Sequence, residues 1–219
     1  LVRHFTEGIP STVMSLAEGA DGRIWVGSYR EGMGWIDPAT LRYHQVDYPG
    51  DKHLRVMDIA VDKQGRLWLA TLQYGVICMT ANGEVVKTYT ASPKAETDRK
   101  VNSIVNDFVS QVSVSPDGKR LYASTSMGLC CLDIESGSWT KTFGTNCPNY
   151  SVPLRIAREY DGKIWVGTTS GLYCYDLSGK EVRHYQAEDG LVDNGIATIE
   201  QDEWGRLWIG TDHGLSCIS

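Results

Sequence analysis

The sequence predicts an all-β fold, a β-propeller of four-stranded antiparallel blades with five blades visible. Three observations carry that expectation. One short pattern recurs five times at near-constant spacing, each copy divides into four strand-like segments joined by glycine turns, and no window shows the 3.6-residue apolar period of a helix. The 219 residues suit one all-β domain. Apolar residues make up 42 %, enough for a substantial core, and 23 glycines accompany 7 Trp and 11 Tyr against only 3 Phe. That is a composition of strands and tight turns.

The recurring segments read GRIWVGS (22–28), GRLWLAT (65–71), GKRLYAST (118–125), GKIWVGT (162–168) and GRLWIGT (205–211). Their leading glycines, Gly22, Gly65, Gly118, Gly162 and Gly205, are spaced by 43, 53, 44 and 43 residues. Nine residues before each glycine begins a first strand: VMSLAE (13–18), VMDIAV (56–61), VSQVSV (109–114), PLRIAR (153–158) and IATIEQ (196–201). The turn that follows carries Asp-Gly at 21–22, 117–118 and 161–162, a strong hairpin signal between apolar runs. The second strand places Trp25, Trp68, Tyr122, Trp165 or Trp208 in the expected core. A loop ending in Gly32, Gly75, Gly128, Gly171 or Gly214 leads to the third strand. The fourth reads LRYHQV (41–46), EVVKTY (84–89), SWTKTF (138–143) or EVRHYQ (181–186). Four short strands in ~40–45 residues is the arithmetic of a propeller blade.

The chain opens on LVRHFT (1–6), similar to EVRHYQ, and closes on GLSCIS (214–219), a third strand. Residues 1–6 are therefore expected to supply the outer strand of the last blade, closing a five-bladed ring and removing its edges. The alternative is an arc of a larger, seven-bladed propeller with its termini apart. Either way the chain reads as a single domain, with blades at about 13–46, 56–90, 109–143, 153–186, and 196–219 plus 1–6. It begins with Leu1 in the middle of a strand, as expected of a piece of a longer protein.

The formal net charge of −6, with no basic run, excludes a non-specific nucleic-acid binder. No apolar stretch approaches the ~20 residues of a spanning helix, so no membrane contact is expected of this segment.

The pattern Ile-x-x-Asp-x-x-Gly-x-Leu-Trp-Ile-Gly-Thr-x-x-Gly-Leu, as in Ile199 to Leu215, resembles the two-component regulator propeller repeat. Ile59 to Thr71 and Ile156 to Leu172 follow it with small departures. The resemblance implies the periplasmic sensor region of a hybrid two-component histidine kinase, of the kind typical of gut Bacteroidetes. In that family the propellers are usually seven-bladed and paired. An immunoglobulin-like domain, a membrane helix, a kinase and a DNA-binding regulator follow them. Five blades depart from that pattern.

The residue types that carry chemistry fall mostly in register, which marks them as parts of the fold. Cys78, Cys131, Cys174 and Cys217 share one repeat position, filled by Trp35 in the first blade, and are expected to be buried free thiols; Cys147 falls in a loop and is expected to be exposed. His4, His44 and His184 share one outer-strand position and are expected to be structural. Asp21, Asp117 and Asp161 initiate turns. No Cys/His cluster has zinc spacing, so neither metal nor cofactor is expected. No nucleophile elbow, phosphate loop or paired carboxylate is recognisable, so no catalytic residue is assigned and the chain is read as a binding module.

Binding residues are sought where the repeat breaks. The loop before strand one and the loop after strand two lie on one face of each blade, opposite the Asp-Gly turns. On that face stand Tyr29, Arg30, Glu31, His53, Arg55, Gln73, Tyr74, Phe108, Tyr150, Asn194, Asp212 and His213. Aromatic faces mixed with amides, acids and guanidinium groups suit sugars, whose rings stack while their hydroxyls need donors and acceptors. The long period adds about ten residues around 91–101 on the same face, with Lys94, Glu96, Asp98, Arg99 and Lys100. This insertion is a partner contact, a lid or a solvated excursion. The expected function is ligand sensing, with an oligosaccharide or other small ligand, the rest of the parent sensor and a second copy of it as partners. The alternatives are a propeller enzyme, a lyase or glycosidase, and a scaffold that binds proteins only.

Overall fold

The computed structural model describes residues 8–51, 53–93, 102–143 and 156–219. Blade 1 holds β1 (Val13–Glu18), β2 (Ile24–Ser28), β3 (Met33–Ile36) and β4 (Tyr43–Val46); blade 2 holds β5 (Val56–Val61), β6 (Leu67–Thr71), β7 (Val76–Met79) and β8 (Val85–Tyr89). Blade 3 holds β9 (Val109–Val114), β10 (Arg120–Thr125), β11 (Gly128–Asp133) and β12 (Ser138–Phe143). Blade 4 holds β13 (Ile156–Tyr160), β14 (Lys163–Thr168), β15 (Gly171–Asp176) and β16 (Glu181–Tyr185). Blade 5 shows β17 (Ile196–Gln201), β18 (Leu207–Thr211) and β19 (Gly214–Ile218). Each sheet runs in chain order and pairs antiparallel throughout. The expected first strands at 13–18, 56–61, 109–114 and 196–201 coincide with β1, β5, β9 and β17. A single 3-10 turn, Ala187–Asp189, joins blades 4 and 5. Residues 1–6, Cys147, Tyr150 and most of the 91–101 insertion lie outside the described residues.

The hairpin between first and second strands is built by two features. Gly65 and Gly205 sit at φ +76° and +80°, a conformation that costs an L side chain but not glycine. The carboxylate three residues earlier then ties the turn to the core. Asp62 accepts from the Gln64 and Arg66 N–H groups, from Arg66 Nε at 2.7 Å and from Trp68 Nε1 at 2.9 Å. Asp202 repeats every one of these bonds with Trp204, Arg206 and Trp208. The Asp-Gly aspartates do lighter work. Asp21 and Asp117 each accept an N–H two residues on, and Asp161 itself takes a positive φ of 50°.

Across each hairpin, the second-strand aromatic lies opposite the repeat cysteine: Trp68 with Cys78, Tyr122 with Cys131, Trp165 with Cys174, Trp208 with Cys217, and Trp25 with Trp35 in blade 1. A small thiol beside a large ring lets the next blade approach. The glycine two residues after the aromatic does the same. A Cβ on Gly27 would fall 2.8 Å from Val56, and one on Gly167 2.6 Å from Ile196, both on the following blade. The trailing face of one blade thus packs on the leading face of the next. Four cores result: Trp25 and Met33 on Val56, Ile59 and Leu69; Trp68 and Cys78 on Val112 and Ala123; Tyr122 and Cys131 on Ala157 and Val166; Trp165, Leu172 and Cys174 on Ile199 and Ile209.

Both end faces carry exposed apolar side chains among the described residues. Leu16 is 64 % exposed, whereas its register equivalents Ile59, Val112, Ala157 and Ile199 are 5 % or less. Leu215 is 58 % exposed, whereas Met33, Val76, Leu129 and Leu172 are 2 % or less. Trp208 is half-buried and Cys217 exposed, against the expectation that both lie in the core, because none of the described blades packs on the trailing face that carries them. A groove of about 320 Å³ lies beside β19, between Tyr185 and the segment 215–218. The described residues thus form an arc of five blades with four inter-blade cores.

Candidate functional site

The loop face has a repeated backbone frame. In each of four blades, the residue after the second-strand Ser or Thr donates its N–H to the carbonyl of the residue before strand one: Tyr29 to Thr12, Leu72 to Arg55, Ser126 to Phe108 and Asp212 to Gly195, at 2.9–3.3 Å. The second-strand Thr71, Thr125 and Thr168 donate their hydroxyls to the loop glycine carbonyl or its counterpart, closing the loop after strand two. Blades are stitched together on this face by Gly32 N–H to the Leu54 carbonyl and Gly75 N–H to the Asp107 carbonyl. The loops are therefore fixed by backbone, and their side chains are free to differ.

At the junction of blades 1 and 2 the differing side chains come together. The Arg55 guanidinium lies 5.5 Å from the Tyr29 ring centroid and that of Arg30 5.8 Å. Glu31 accepts from the Ser11 N–H at 3.0 Å and the Ser11 hydroxyl at 2.6 Å, bonds that hold its carboxyl below the usual range. His53 is exposed, and its N–H donates to Asp51. Tyr74 is turned inward by comparison. Its ring packs 5.5 Å from Tyr48 against the blade 1–2 core, and its hydrogen bond to Asp51 raises the phenol pKa. Gln73 is exposed on the same loop. Phe108, at the next junction, is exposed, its N–H held by Asn106.

A second group gathers on blade 5. His213 Nδ1 lies 3.0 Å from Asp193 Oδ2, and both His213 and Asp212 are exposed. Asn194 is tied down, its side-chain oxygen accepting from the Ala187 N–H at 2.7 Å. The structure therefore brings Tyr29, Arg30 and Arg55 together, bonds Glu31 to Ser11 and sets the His213 ring on Asp193. Of the outer-strand histidines, His44 stacks on Trp35 at 4.1 Å and His184 on Tyr173 at 3.8 Å, while His4 lies outside the described residues.

One polar group escaped the sequence reading. Asp58 sits on the inner strand β5, beside a cavity of about 370 Å³ also lined by Ser113, Arg158, Glu159 and Tyr160. Burial pushes its carboxyl up to about 6, against the lowering effect of the Val112 N–H, Arg158 and the Ile59 N–H. Its two oxygens accept from the Ile59 N–H at 2.9 Å and from the Val112 N–H of the next blade at 3.2 Å. Gln111, at the equivalent place on β9, likewise accepts the Ala157 N–H of the following blade at 2.8 Å. These side chains stitch inner strands together. The signal that could have found them is the polar residue at the same register position of β5 and β9, in β5 the one polar residue of the strand. Among the described residues no group of three or more His, Cys, Asp or Glu could hold a metal ion.

Fold and loop face define a β-propeller whose blades share one frame and differ in their loops. The family model described as two component regulator propeller matches residues 7–30, 50–73 and 190–213. No curated protein matches the chain. Two solved structures with the same fold are extracellular domains assigned to hybrid two component systems of B. thetaiotaomicron. One has a TM-score of 0.77 at 24 % identity over 95 % of this chain, the other 0.78 at 17 % over 98 %. This chain spans only 28 % of the length of either. A catalytically inactive virginiamycin B lyase from Staphylococcus aureus also shares the fold, with a TM-score of 0.71 at 13 % identity over 95 % of this chain and 70 % of its own length.

Proposed function

We propose that this chain is part of the ligand-sensing propeller region of a hybrid two-component sensor, that it works in the periplasm, and that it recognises a carbohydrate breakdown product. The match of three repeats to the regulator propeller carries this reading. The loop face supports the carbohydrate part, because an aromatic ring, guanidinium groups, a carboxylate and an exposed Phe108 stand on a backbone frame that needs none of them. A rigid frame lowers the ordering cost of binding, and a ligand that touches loops of adjacent blades is positioned to transmit its presence to the rest of the parent sensor and its dimer partner.

The enzyme alternative finds its best candidate acid in Asp58, but both oxygens of that carboxyl are taken by backbone N–H groups, which is the bonding of a structural residue. A glycan-binding screen on the intact parent tests the reading. We expect a defined oligosaccharide to bind and to change kinase output. A parent that binds no glycan, and whose kinase ignores all of them, removes the carbohydrate part.

A further inference from the structure

We propose that Arg30, Tyr29 and Arg55 form a subsite for a carboxylated sugar, a uronic acid residue, at the junction of blades 1 and 2. The inference rests on the carbohydrate-sensing reading and specifies its ligand.

The turn-face arginines provide the contrast. Arg23, Arg66, Arg120 and Arg206 each hold a carboxylate oxygen at 2.7–3.1 Å. Arg30 and Arg55 have no such ion pair among the described residues, in a chain with 27 acidic against 21 basic residues. Their charges converge on one tyrosine ring, within 6 Å of its centroid from two different blades. The nearest acid in sequence, Glu31, is committed to Ser11 by two hydrogen bonds.

The cluster is specific to this junction. The frame position of Tyr29 is Leu72 in blade 2, Ser126 in blade 3 and Asp212 in blade 5, and that of Arg55 is Phe108 in blade 3 and Gly195 in blade 5. Nothing in the fold asks for arginine or tyrosine there. Its backbone is fixed by the bonds from Tyr29 N–H to Thr12, Gly32 N–H to Leu54 and Leu72 N–H to Arg55, so the three side chains are presented from anchored positions.

The chemistry follows from the groups. A guanidinium is always charged and offers a planar fork of donors that matches a carboxylate with two parallel hydrogen bonds. A tyrosine face offers the stacking surface that a pyranose ring uses. Glu31 keeps its carboxylate on Ser11, so the two guanidinium groups keep their charge for the ligand carboxylate. Phe108 at the next junction is an exposed surface for a neighbouring sugar. The arrangement fits an oligosaccharide with one acidic unit over blades 1 and 2.

Calorimetry on the 219-residue chain tests this with oligomers of galacturonate, glucuronate and mannuronate, their methyl esters, the corresponding neutral oligomers, and inorganic sulfate. We expect one uronate oligomer to bind and its methyl ester to bind about tenfold more weakly or worse. Arg30→Gln and Arg55→Gln should each lose about tenfold for the acid form, with unchanged melting temperatures and little effect on the ester. Equal binding of acid, ester and neutral forms overturns the acidic subsite and leaves carbohydrate sensing standing, as does full binding by both arginine variants. Binding of sulfate at the affinity of the oligomers overturns the sugar specificity. A chain that binds none of the oligomers overturns the subsite, and the screen on the intact parent then judges carbohydrate sensing separately.

Discussion

Asp58 is a carboxyl whose surroundings work against its charge. Burial raises it to about 6, and two backbone N–H bonds and Arg158 only partly oppose that. The sign for stability is the reverse of the usual acid. The unfolded chain gives up this proton near pH 4 and the folded chain near pH 6, so the folded state holds the proton more tightly in between. Stability from this residue is full below about pH 4, falls as pH rises to about 6, and stays lower above it. The span is on the order of 3 kcal/mol for a shift of about two units. Other carboxyls run oppositely: Glu31, Asp117, Asp176 and Asp202 are lowered by hydrogen bonds, and their contribution is lost as pH falls below about 4. Asp58→Asn removes only the first effect. Urea melts between pH 4 and 6.5 should show wild type losing stability relative to the variant as pH rises. Parallel curves would refute the raised carboxyl.

At the scale of the element, the hairpin from first to second strand is where sequence and structure agree most closely. β1, β5, β9 and β17 begin and end where five aligned copies and a following glycine place them. Repetition averages out local ambiguity, because a strand boundary seen five times is set by the pattern and not by one residue's propensity. What repetition hides is context. Trp68 and Trp208 are each preceded by Gly-Arg-Leu and make the same hydrogen bond to an aspartate, at 2.9 and 2.8 Å. Trp68 is sealed under blade 3, while Trp208 is half-buried on a face that none of the described blades covers. Trp68→Ala should therefore cost about 3–5 kcal/mol, the range for a large core aromatic, and Trp208→Ala well under half of that. Equal losses in chemical denaturation would mean that the trailing face of blade 5 is covered in solution. The candidate site was legible to a similar depth. Tyr29, Arg30 and Arg55 stood out because they break the repeat. The inward turn of Tyr74 onto Asp51 and the capture of Glu31 by Ser11 depend on a loop 20 or more residues away and had no sequence signal.

For the whole molecule, the repeat makes both halves of every junction and so cannot say which junctions exist. Blade 1 carries a leading face and blade 5 a trailing face like those buried between their neighbours, yet among the described residues both leave apolar side chains, Leu16 and Leu215, exposed. Gly210 shows the difference in detail: a Cβ there would meet only Thr198 of its own blade, whereas the equivalent on Gly167 would strike Ile196 of the next. Whatever completes the arc must offer blade 5 a leading face and blade 1 a trailing face, the two surfaces that the repeat itself makes. Leu16 reports on this directly. With the leading face of blade 1 open, Leu16→Lys replaces an exposed side chain and should change stability by about 0.5 kcal/mol or less. Ile59→Lys, at the same register position one blade on, buries an unpaired charge in a formed junction and should unfold the protein or cost several kcal/mol. The double variant Leu16→Lys, Leu215→Lys should also stay monomeric at concentrations where the parent sequence associates through its bare faces, as light scattering would show. If Leu16→Lys proves as damaging as Ile59→Lys, the leading face of blade 1 is packed in solution. The five blades then close on themselves, with residues 1–6 free to add the outer strand of the last.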